Sequence, residues 1–565
     1  MAIIGIDLGT TNSLVSYFTE DGPAIIPNRL GDLLTPSVVS IDENEQIYIG
    51  KIARERQSVY PENTVSIFKR SMGSEKVFKL GSKEFLPEEL SSFVLRSLKE
   101  DAEFYLKEEV VEAIISVPAY FNDAQRKATK RAGELAGLKV ERLINEPTAA
   151  AIAYGLNQKK DNTKFLVFDL GGGTFDVSIL ELYKNVMEVR AVAGNNYLGG
   201  EDFTEIIENM FINSYKLDKK NLDNKTLSNI KRQSEITKLS FSKEKEVIMK
   251  CKVEEEVLEY SLNLDDYEKS CQLILKKLRR PIERALSDAS IKIREIDSIV
   301  LVGGATKLPI IRNFVAKLFG RLPLVHINPD EAVSLGAAIQ GAMKSRDKAI
   351  REIVLTDVCP YTLGTSISIE KANGNYESGH FYPIIERNTI IPVSKIDRLY
   401  TIYDNQKSIS VKVLQGESRL SKDNIYLGEI NVPVPKGKGG EQSIDIRYTY
   451  DINGILEVEV TVVSTEFKKR IIIKNNSNSM SDEEVEKRLE ELKELKIHPR
   501  EEEENKLLLS RGERLYEENI GEKREYIAKL LEEFENVLDK QDKREVQKVA
   551  KDLKEVLEDI DDEWL

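Results

Sequence analysis

Phe165-Leu-Val-Phe-Asp169-Leu-Gly-Gly-Gly-Thr174-Phe-Asp176 decides how this chain is read. Residues 165–168 are a short apolar run of the kind a fully buried strand shows, and Asp169 stands where that strand emerges. Gly171, Gly172 and Gly173 allow positive φ and keep Cβ atoms away, so backbone N–H groups can close on an anion. Thr174 adds a hydroxyl and Asp176 a second carboxylate. A carboxylate beside a phosphate cradle points to a nucleotide with hydrated Mg²⁺, a metal that keeps several waters and needs few direct protein ligands. Alone, the stretch also reads as an ordinary glycine hairpin.

Ile3-Ile-Gly-Ile-Asp7-Leu-Gly9-Thr10-Thr11-Asn12 repeats the pattern, with its aspartate 162 positions before Asp169. Similarity at a long fixed offset suggests duplicated structure. Two strand–turn hairpins facing each other would hold a phosphate chain and a metal between two lobes.

At 565 residues the chain is too long for one core and should hold several domains. Hydrophobic content of 41% with 32% charged residues fits a soluble globular protein. No apolar run is long enough to span a bilayer, and the chain starts directly on a strand, without a signal peptide's basic flank and cleavage site. Cys251, Cys271 and Cys359 lie far apart, without metal-ligand spacing, and read as small buried residues in a reducing cytoplasm. His326, His380 and His498 are equally scattered, so histidine or metal-cluster catalysis has little support. A net charge of −14 argues against nucleic acid as a partner. Residues 476–565 carry 29 acidic and 17 basic side chains, so most of that charge belongs to the terminal segment.

Up to about Ser345, apolar strands alternate with amphipathic helices, the signature of α/β lobes. Strands are expected at 110–117 and 298–302, and helices at 123–136, 147–154, 202–215, 227–238 and 309–319. Residues 352–357 form a short apolar run between charges. It reads as a strand, or as a linker that docks in one state and is exposed in another. From 358 to 474 the period becomes two: Ile409, Val411 and Val413 alternate with Ser410 and Lys412, as in an antiparallel β domain with one buried face. The tail is helical, with a capping box at 481–484 and apolar stripes at 485–492, 527–538 and 546–560 that predict a small bundle.

The motifs Gly5-Ile-Asp-Leu-Gly-Thr-Thr-Asn-Ser13, Val117-Pro-Ala-Tyr-Phe-Asn-Asp123, Asn145-Glu-Pro-Thr-Ala-Ala150, Phe168-Asp-Leu-Gly-Gly-Gly-Thr-Phe-Asp176, Leu198-Gly-Gly-Glu-Asp202, Asn328-Pro-Asp-Glu-Ala332 and Leu414-Gln-Gly-Glu417 cover nearly all of the chain. Together they closely resemble the DnaK-type heat-shock chaperones, the seventy-kilodalton class, and within it the shorter HscC branch. The resemblance implies a multidomain chain: an α/β actin-like ATPase domain (1–350), a linker (351–357), an all-β peptide-binding sandwich (358–475) and an α-helical lid (476–565). It implies ATP hydrolysis coupled to binding and release of extended hydrophobic polypeptides. The hydrolytic lysine falls on Lys69, and the carboxylates around Mg²⁺, reached through water, fall on Asp7, Glu146 and Asp169. K⁺ is a further candidate ion. Phosphate contacts fall on Gly9, Thr10, Thr11, Asn12, Thr174 and the glycines 171–173, with Gly200, Glu201 and Gly303 nearby. Adenosine contacts fall on Glu235, Lys238, Ser242, Gly304 and Lys307, with Asp330 close by. Pro118, Arg126 and Asp357 match the interdomain relay, Val354 and Leu355 the linker, and Arg142 a contact of the J-domain co-chaperone. A nucleotide exchange factor is a further expected partner of a cytoplasmic monomer. Peptide hydrophobes would enter near Leu399, Ile402, Ile409 and Val411, residues that read equally well as sandwich core.

The sequence departs from the family pattern in places. Thr356 stands in the linker where a leucine is usual, Lys307 where an arginine commonly stacks on the base, and Ile402 where DnaK has a small residue. The stretch 367–384 is longer than in DnaK, and the lid is shorter. A sugar kinase or a filament-forming actin relative would share the ATPase motifs but has no obvious use for the linker, β domain and lid.

Overall fold

The computed structural model describes residues 2–57, 59–155, 162–183, 186–253, 256–324, 327–345, 354–372, 376–451, 454–473 and 498–562. They fall into two compact units, Met1–Pro360 and Tyr361–Leu565.

The duplication expected from the two aspartate hairpins is present in the sheets of the first unit. In one lobe, strand Ala2–Asp7 pairs antiparallel with Asn12–Thr19 and parallel with Val110–Val117. In the other, Asn162–Leu170 pairs antiparallel with Phe175–Tyr183 and parallel with Ser298–Val302. Each aspartate hairpin thus has the same two neighbours. Residues 165–168 are 0% exposed, because helices cover both faces of the strand, the condition under which parallel strands become continuous apolar runs.

The lobes meet along two helices rich in small residues, Glu146–Gly155 and Ala332–Lys344. A Cβ on Gly5 would lie 2.2 Å from the Ala338 backbone nitrogen, and one on Gly336 would lie 1.8 Å from the Ala149 carbonyl oxygen. Ser16 Oγ donates to the Ser334 carbonyl at 2.6 Å, fixing the same contact with a buried polar bond. The helices can therefore lie backbone-to-backbone against the first strand and against each other, and this sets the position of Glu146 at the first turn of its helix.

On the outer side of the second lobe, strand Val186–Asn195 pairs with Phe175–Tyr183 and then, in parallel, with Val354–Val358. The apolar run at 352–357 is thus, over its described part, an added strand of the second lobe's sheet. Residues 351–353 lie outside the described residues, as does the capping box at 481–484.

The second unit contains two four-stranded antiparallel sheets, ordered Tyr376–Ile385, Leu363–Glu370, Ser408–Gln415, Ile425–Pro433 and Val393–Tyr400, Ser443–Tyr450, Leu456–Val462, Phe467–Ile473. The alternation at 409–413 buries Val411 and Val413, and the buried Tyr448 hydroxyl crosses between sheets to donate to the Gly364 carbonyl at 2.9 Å. Helices Glu503–Glu518, Glu522–Lys540 and Lys543–Asp562 form the expected bundle around Leu515, Phe534 and Leu557. Between the last two helices, Gln541 presents its amide to the sheet edge. The Ile396 N–H donates to Oε1 at 3.1 Å, and Nε2 donates to the Ile396 carbonyl at 2.9 Å. A side chain thereby supplies the hydrogen bonds a neighbouring strand would make.

Gly336→Val forces a side chain into the Ala149 backbone and is expected to cost about 3 kcal/mol, the upper end for overpacking. Urea unfolding followed through the first unit checks this; an unchanged midpoint would show that the helix contact is loose.

Candidate functional site

The two aspartate hairpins open onto one cavity of about 850 Å³, within the range of small-molecule sites. Its wall brings together Asp7, Lys69, Glu146, Asp169 and Thr174 with Gly9, Thr10, Thr11, Asn12, Gly171, Gly172 and Gly200. The same wall also includes Glu235, Lys238, Ser242, Gly303, Gly304, Lys307 and Asp330. Two residues expected in the site do not line it. Gly173 sits behind the wall with its carbonyl taken by Arg70, and Glu201 lines a smaller adjoining cavity, where it pairs with Lys231 at 3.0 Å.

The glycines work differently from the positive-φ expectation. Gly9, Gly171, Gly172 and Gly173 all have ordinary backbone angles; of the cavity glycines named above, only Gly303 has positive φ, at 83°. What excludes a side chain is crowding, between the two loops at Gly172 and within one turn at Gly9. A Cβ on Gly172 would lie 1.8 Å from Thr11 Oγ1, and one on Gly9 1.9 Å from the Asn12 carbonyl oxygen. The loops are tightened internally: Gly171 N–H donates to the Thr174 carbonyl at 3.1 Å, and Gly200 N–H to the Gly171 carbonyl at 2.8 Å. The second loop is therefore braced on the start of helix Gly200–Ser214.

The floor is a cluster of carboxylates around one ammonium. Lys69 Nζ donates to Glu146 Oε1 at 2.8 Å, with side chains only 3% and 9% exposed. Ser116 Oγ donates to Asp7 Oδ1 at 2.8 Å. Removal from water raises the Asp7 carboxyl to about 7, with Glu146 adding to the effect and Lys69 and Ser116 opposing it. Burial, then Glu146, Asp176 and Asp7, hold Asp169 well above the usual carboxylate range. Asp176 faces Asp169 across the hairpin; burial and Glu146 push it to about 8. Asp169 Oδ2 and Thr11 Oγ1 are buried with no hydrogen-bond partner among the described residues. Buried polar atoms are rarely left so, and these two mark where a ligand would complete the site. Among the described residues no three metal-ligating side chains converge on one point.

Lys307 is ion-paired to Asp330, another residue of the cavity lining. Lys238 is buried, donating to Thr204 Oγ1 at 2.7 Å and the Gly200 carbonyl at 3.1 Å. Burial depresses its pKa.

Of the residues expected to form the interdomain relay, Arg126 and Asp357 are hydrogen-bonded to one another through Asn145, the neighbour of Glu146. Asn145 Nδ2 donates to both Asp357 carboxylate oxygens at 2.9 and 2.7 Å, while Arg126 donates to Asn145 Oδ1 at 2.6 Å. Arg126 also holds the Phe121 and Ala119 carbonyls just after Pro118, and Arg142 lies close enough to oppose the burial-driven rise of the Asp357 pKa. Val354 and Leu355 pair with Val186 and Met187 through their backbones. In the second unit, Leu399, Ile402 and Ile409 are half-buried, whereas Val411 is 1% exposed within the sandwich core.

Sequence reasoning assigned no role to Ser116, Asn145, Arg70 or the Tyr376–Tyr403 ring pair, whose centroids are 6.1 Å apart beside Ile402. Asn145 lay inside a quoted motif and was recoverable. The others depend on contacts between distant segments.

Asp176 gives a pH test. The fold keeps its proton where the unfolded chain, with a carboxylate pKa of about 4, has lost it. Its stabilising contribution is therefore complete only below about pH 4 and is lost as pH rises to about 8. In the nucleotide-free chain, Asp176→Asn is expected to melt above the parent at pH 8, with the difference shrinking toward pH 5. A difference independent of pH would contradict the assignment.

The Hsp70 protein family model matches residues 3–564. The chaperone protein DnaK of Thermosipho melanesiensis is 37% identical over 569 residues, covering 98% of this chain and 92% of the relative. DnaK of Thermotoga petrophila is 39% identical over 506 residues, covering 87% and 83%. These relatives carry the DnaK name and do not bear on the HscC branch. A family match over almost the full length, on a fold whose cavity gathers residues of five of the seven quoted motifs, has one reading: the chain belongs to the Hsp70 family.

Proposed function

We propose that this ATP-dependent chaperone hydrolyses ATP in the inter-lobe cavity and uses the nucleotide state, read through strand Val354–Val358, to control peptide binding in the β domain. The observation that carries the reading is that consecutive residues face both ways. Glu146 holds Lys69 in the cavity, and Asn145 holds Asp357 at the end of the linker. The proposed division is ATPase domain 1–350, linker 351–357, sandwich 358–475 and lid 476–565.

The polyphosphate would lie between the two hairpins, with Thr10, Thr11 and Thr174 offering hydroxyls. The carboxylates Asp7, Glu146, Asp169 and Asp176 outnumber the single ammonium of Lys69, so an anionic ligand needs a cation beside it. The donor set fits Mg²⁺ held through its waters by Asp7, Glu146 and Asp169, with K⁺ as a further ion; bound there, the metal would neutralise phosphate charge. Phosphoryl transfer to water depends on positioning and charge stabilisation more than on covalent help. Lys69, fixed by Glu146 and desolvated, would orient the attacking water and offset charge growing on the transferred phosphoryl group. Lys307, Asp330, Gly304 and Ser242 would flank the nucleoside.

Extended polypeptides would thread the sandwich near Leu399, Ile402 and Ile409, under the bridge formed by Tyr376 and Tyr403. A J-domain co-chaperone would dock near Arg142 and the linker strand, and an exchange factor would open the cleft. The reading includes a monomer acting in the cytoplasm; no helix among the described residues is long and apolar enough to cross a membrane.

Lys69→Ala is expected to keep nucleotide affinity and slow single-turnover hydrolysis by about 100-fold or more, as for loss of a group acting in the transition state. A wild-type rate would remove Lys69 from the mechanism. Asp357→Ala is expected to leave basal hydrolysis intact and abolish the acceleration of peptide release by ATP. Release that still quickens on adding ATP would show that the linker contact is not the relay.

A further inference from the structure

The turn that carries Lys69 is held in an unfavourable conformation. It is a short 3₁₀ turn, Phe68–Ser71, entered through Ile67 at φ 62° and ψ 15°. The left-handed region is costly for any residue with a Cβ and most so for a β-branched one, at about 1–2 kcal/mol. Such a residue persists only when the surroundings fix the chain on both sides. Glu146 fixes one side through Lys69. The other side is fixed by Arg70, and its partners belong to the opposite lobe.

Arg70 Nε donates to the Gly173 carbonyl at 3.0 Å, and its Nη2 donates to Asp202 Oδ2 at 2.8 Å. Gly173 belongs to the second phosphate loop. Asp202 lies in the first turn of helix Gly200–Ser214, where the same oxygen accepts the Gly199 N–H at 2.8 Å. One guanidinium thus joins the lysine turn of the first lobe to the loop and the helix start of the second. The space for it is made by a missing side chain: a Cβ on Gly173 would lie 2.7 Å from Arg70 Nε. The Arg70 and Asp202 side chains are 22% and 25% exposed, so water competes only partly for the pair.

The geometry points to Arg70 as a positioning residue that locks the Lys69 turn onto the second phosphate loop when the lobes are closed, so that hydrolysis waits on closure. It does not touch the reacting atoms; it acts through Lys69. Closure aligns the two acceptors, Gly173 and Asp202, with one fork of donors. An open cleft separates them and leaves the strained turn held on one side only. Lysine carries its donors on one nitrogen and does not reproduce the spacing of Nε and Nη2 that reaches the two acceptors. The inference rests on Lys69 being the hydrolytic lysine.

The test measures two rates, single-turnover ATP hydrolysis and ADP dissociation, in Arg70→Gln, Arg70→Lys and Asp202→Asn. Asp202→Asn keeps an oxygen for Gly199 while removing the charge. Arg70→Gln is expected to slow hydrolysis about 10- to 100-fold, the scale of a misplaced group near the chemistry, and to speed ADP release several-fold. Arg70→Lys and Asp202→Asn should fall between it and the parent, and the double variant Arg70→Gln/Asp202→Asn should be no worse than Arg70→Gln. Arg70→Lys keeps the question answerable if Arg70→Gln does not fold. Wild-type values of both rates in Arg70→Gln would overturn the proposal. So would slowed hydrolysis with unchanged ADP release, which would place Arg70 on the phosphate itself. Lys69→Ala separates the two readings, since it should abolish hydrolysis and leave ADP release unchanged. If it hydrolyses normally, the role of Lys69 fails, while accelerated ADP release in Arg70→Gln still reports the inter-lobe lock.

Discussion

The Lys69–Glu146 ion pair, buried among Asp7, Asp169 and Asp176, is the constraint on which the rest of the first unit depends. A buried ion pair gains little unless its geometry is good and its other lone pairs are met. Here one ammonium faces several carboxylates, so the cluster remains short of positive charge. The protein answers by raising carboxyl pKa values and by leaving Asp169 Oδ2 and Thr11 Oγ1 unpartnered at the cavity wall. Both responses are costly, and a bound ligand bringing a cation would relieve them. The close helix contact at Gly336 and the bracing of the second loop on Gly200 serve to hold these charges in place.

From that pair the structure leads outward in two directions. Through Arg70, next to Lys69, it reaches Gly173 and Asp202, so that the Lys69 turn is hydrogen-bonded to the opposite lobe. Through the peptide bond between Glu146 and Asn145 it reaches Asp357, and so the strand that joins the ATPase sheet to the rest of the chain. Few residues intervene on either route, and each junction is a directional hydrogen bond. Asn145 and Glu146 are consecutive, so a displacement of Glu146 would also displace the side chain that holds Asp357.

Much of this was legible in the residues. The repeated strand–Asp–Gly pattern located both hairpins, and the apolar run at 165–168 announced a strand buried on both faces. The change of period near 358 marked the sandwich. What was not legible was three-dimensional crowding. Glycines 171–173 were read as allowing positive φ and keeping Cβ atoms off an anion, whereas the clearance at Gly172 is from Thr11 of the other hairpin, and that at Gly9 is from Asn12 within its own turn. Lys307 was read as an adenosine contact standing where an arginine commonly stacks, with Asp330 close by; the ion pair between the two came only with the fold. Ile67 shows the same limit in another form. Nothing in an isoleucine predicts a left-handed conformation, and the reason for it lies in Arg70's partners more than a hundred positions away.

The central claim is that the nucleotide cavity and the linker strand are one mechanical unit. Hydrogen exchange at the backbone amides of Val354–Val358 tests it most directly, comparing the ATP-bound Lys69→Ala chain with the ADP-bound parent. Slow exchange with ATP and fast exchange with ADP is the expected result, because the strand should stay paired with Val186–Asn195 only while the cavity is closed on ATP. Equal protection in the two states would contradict the coupling.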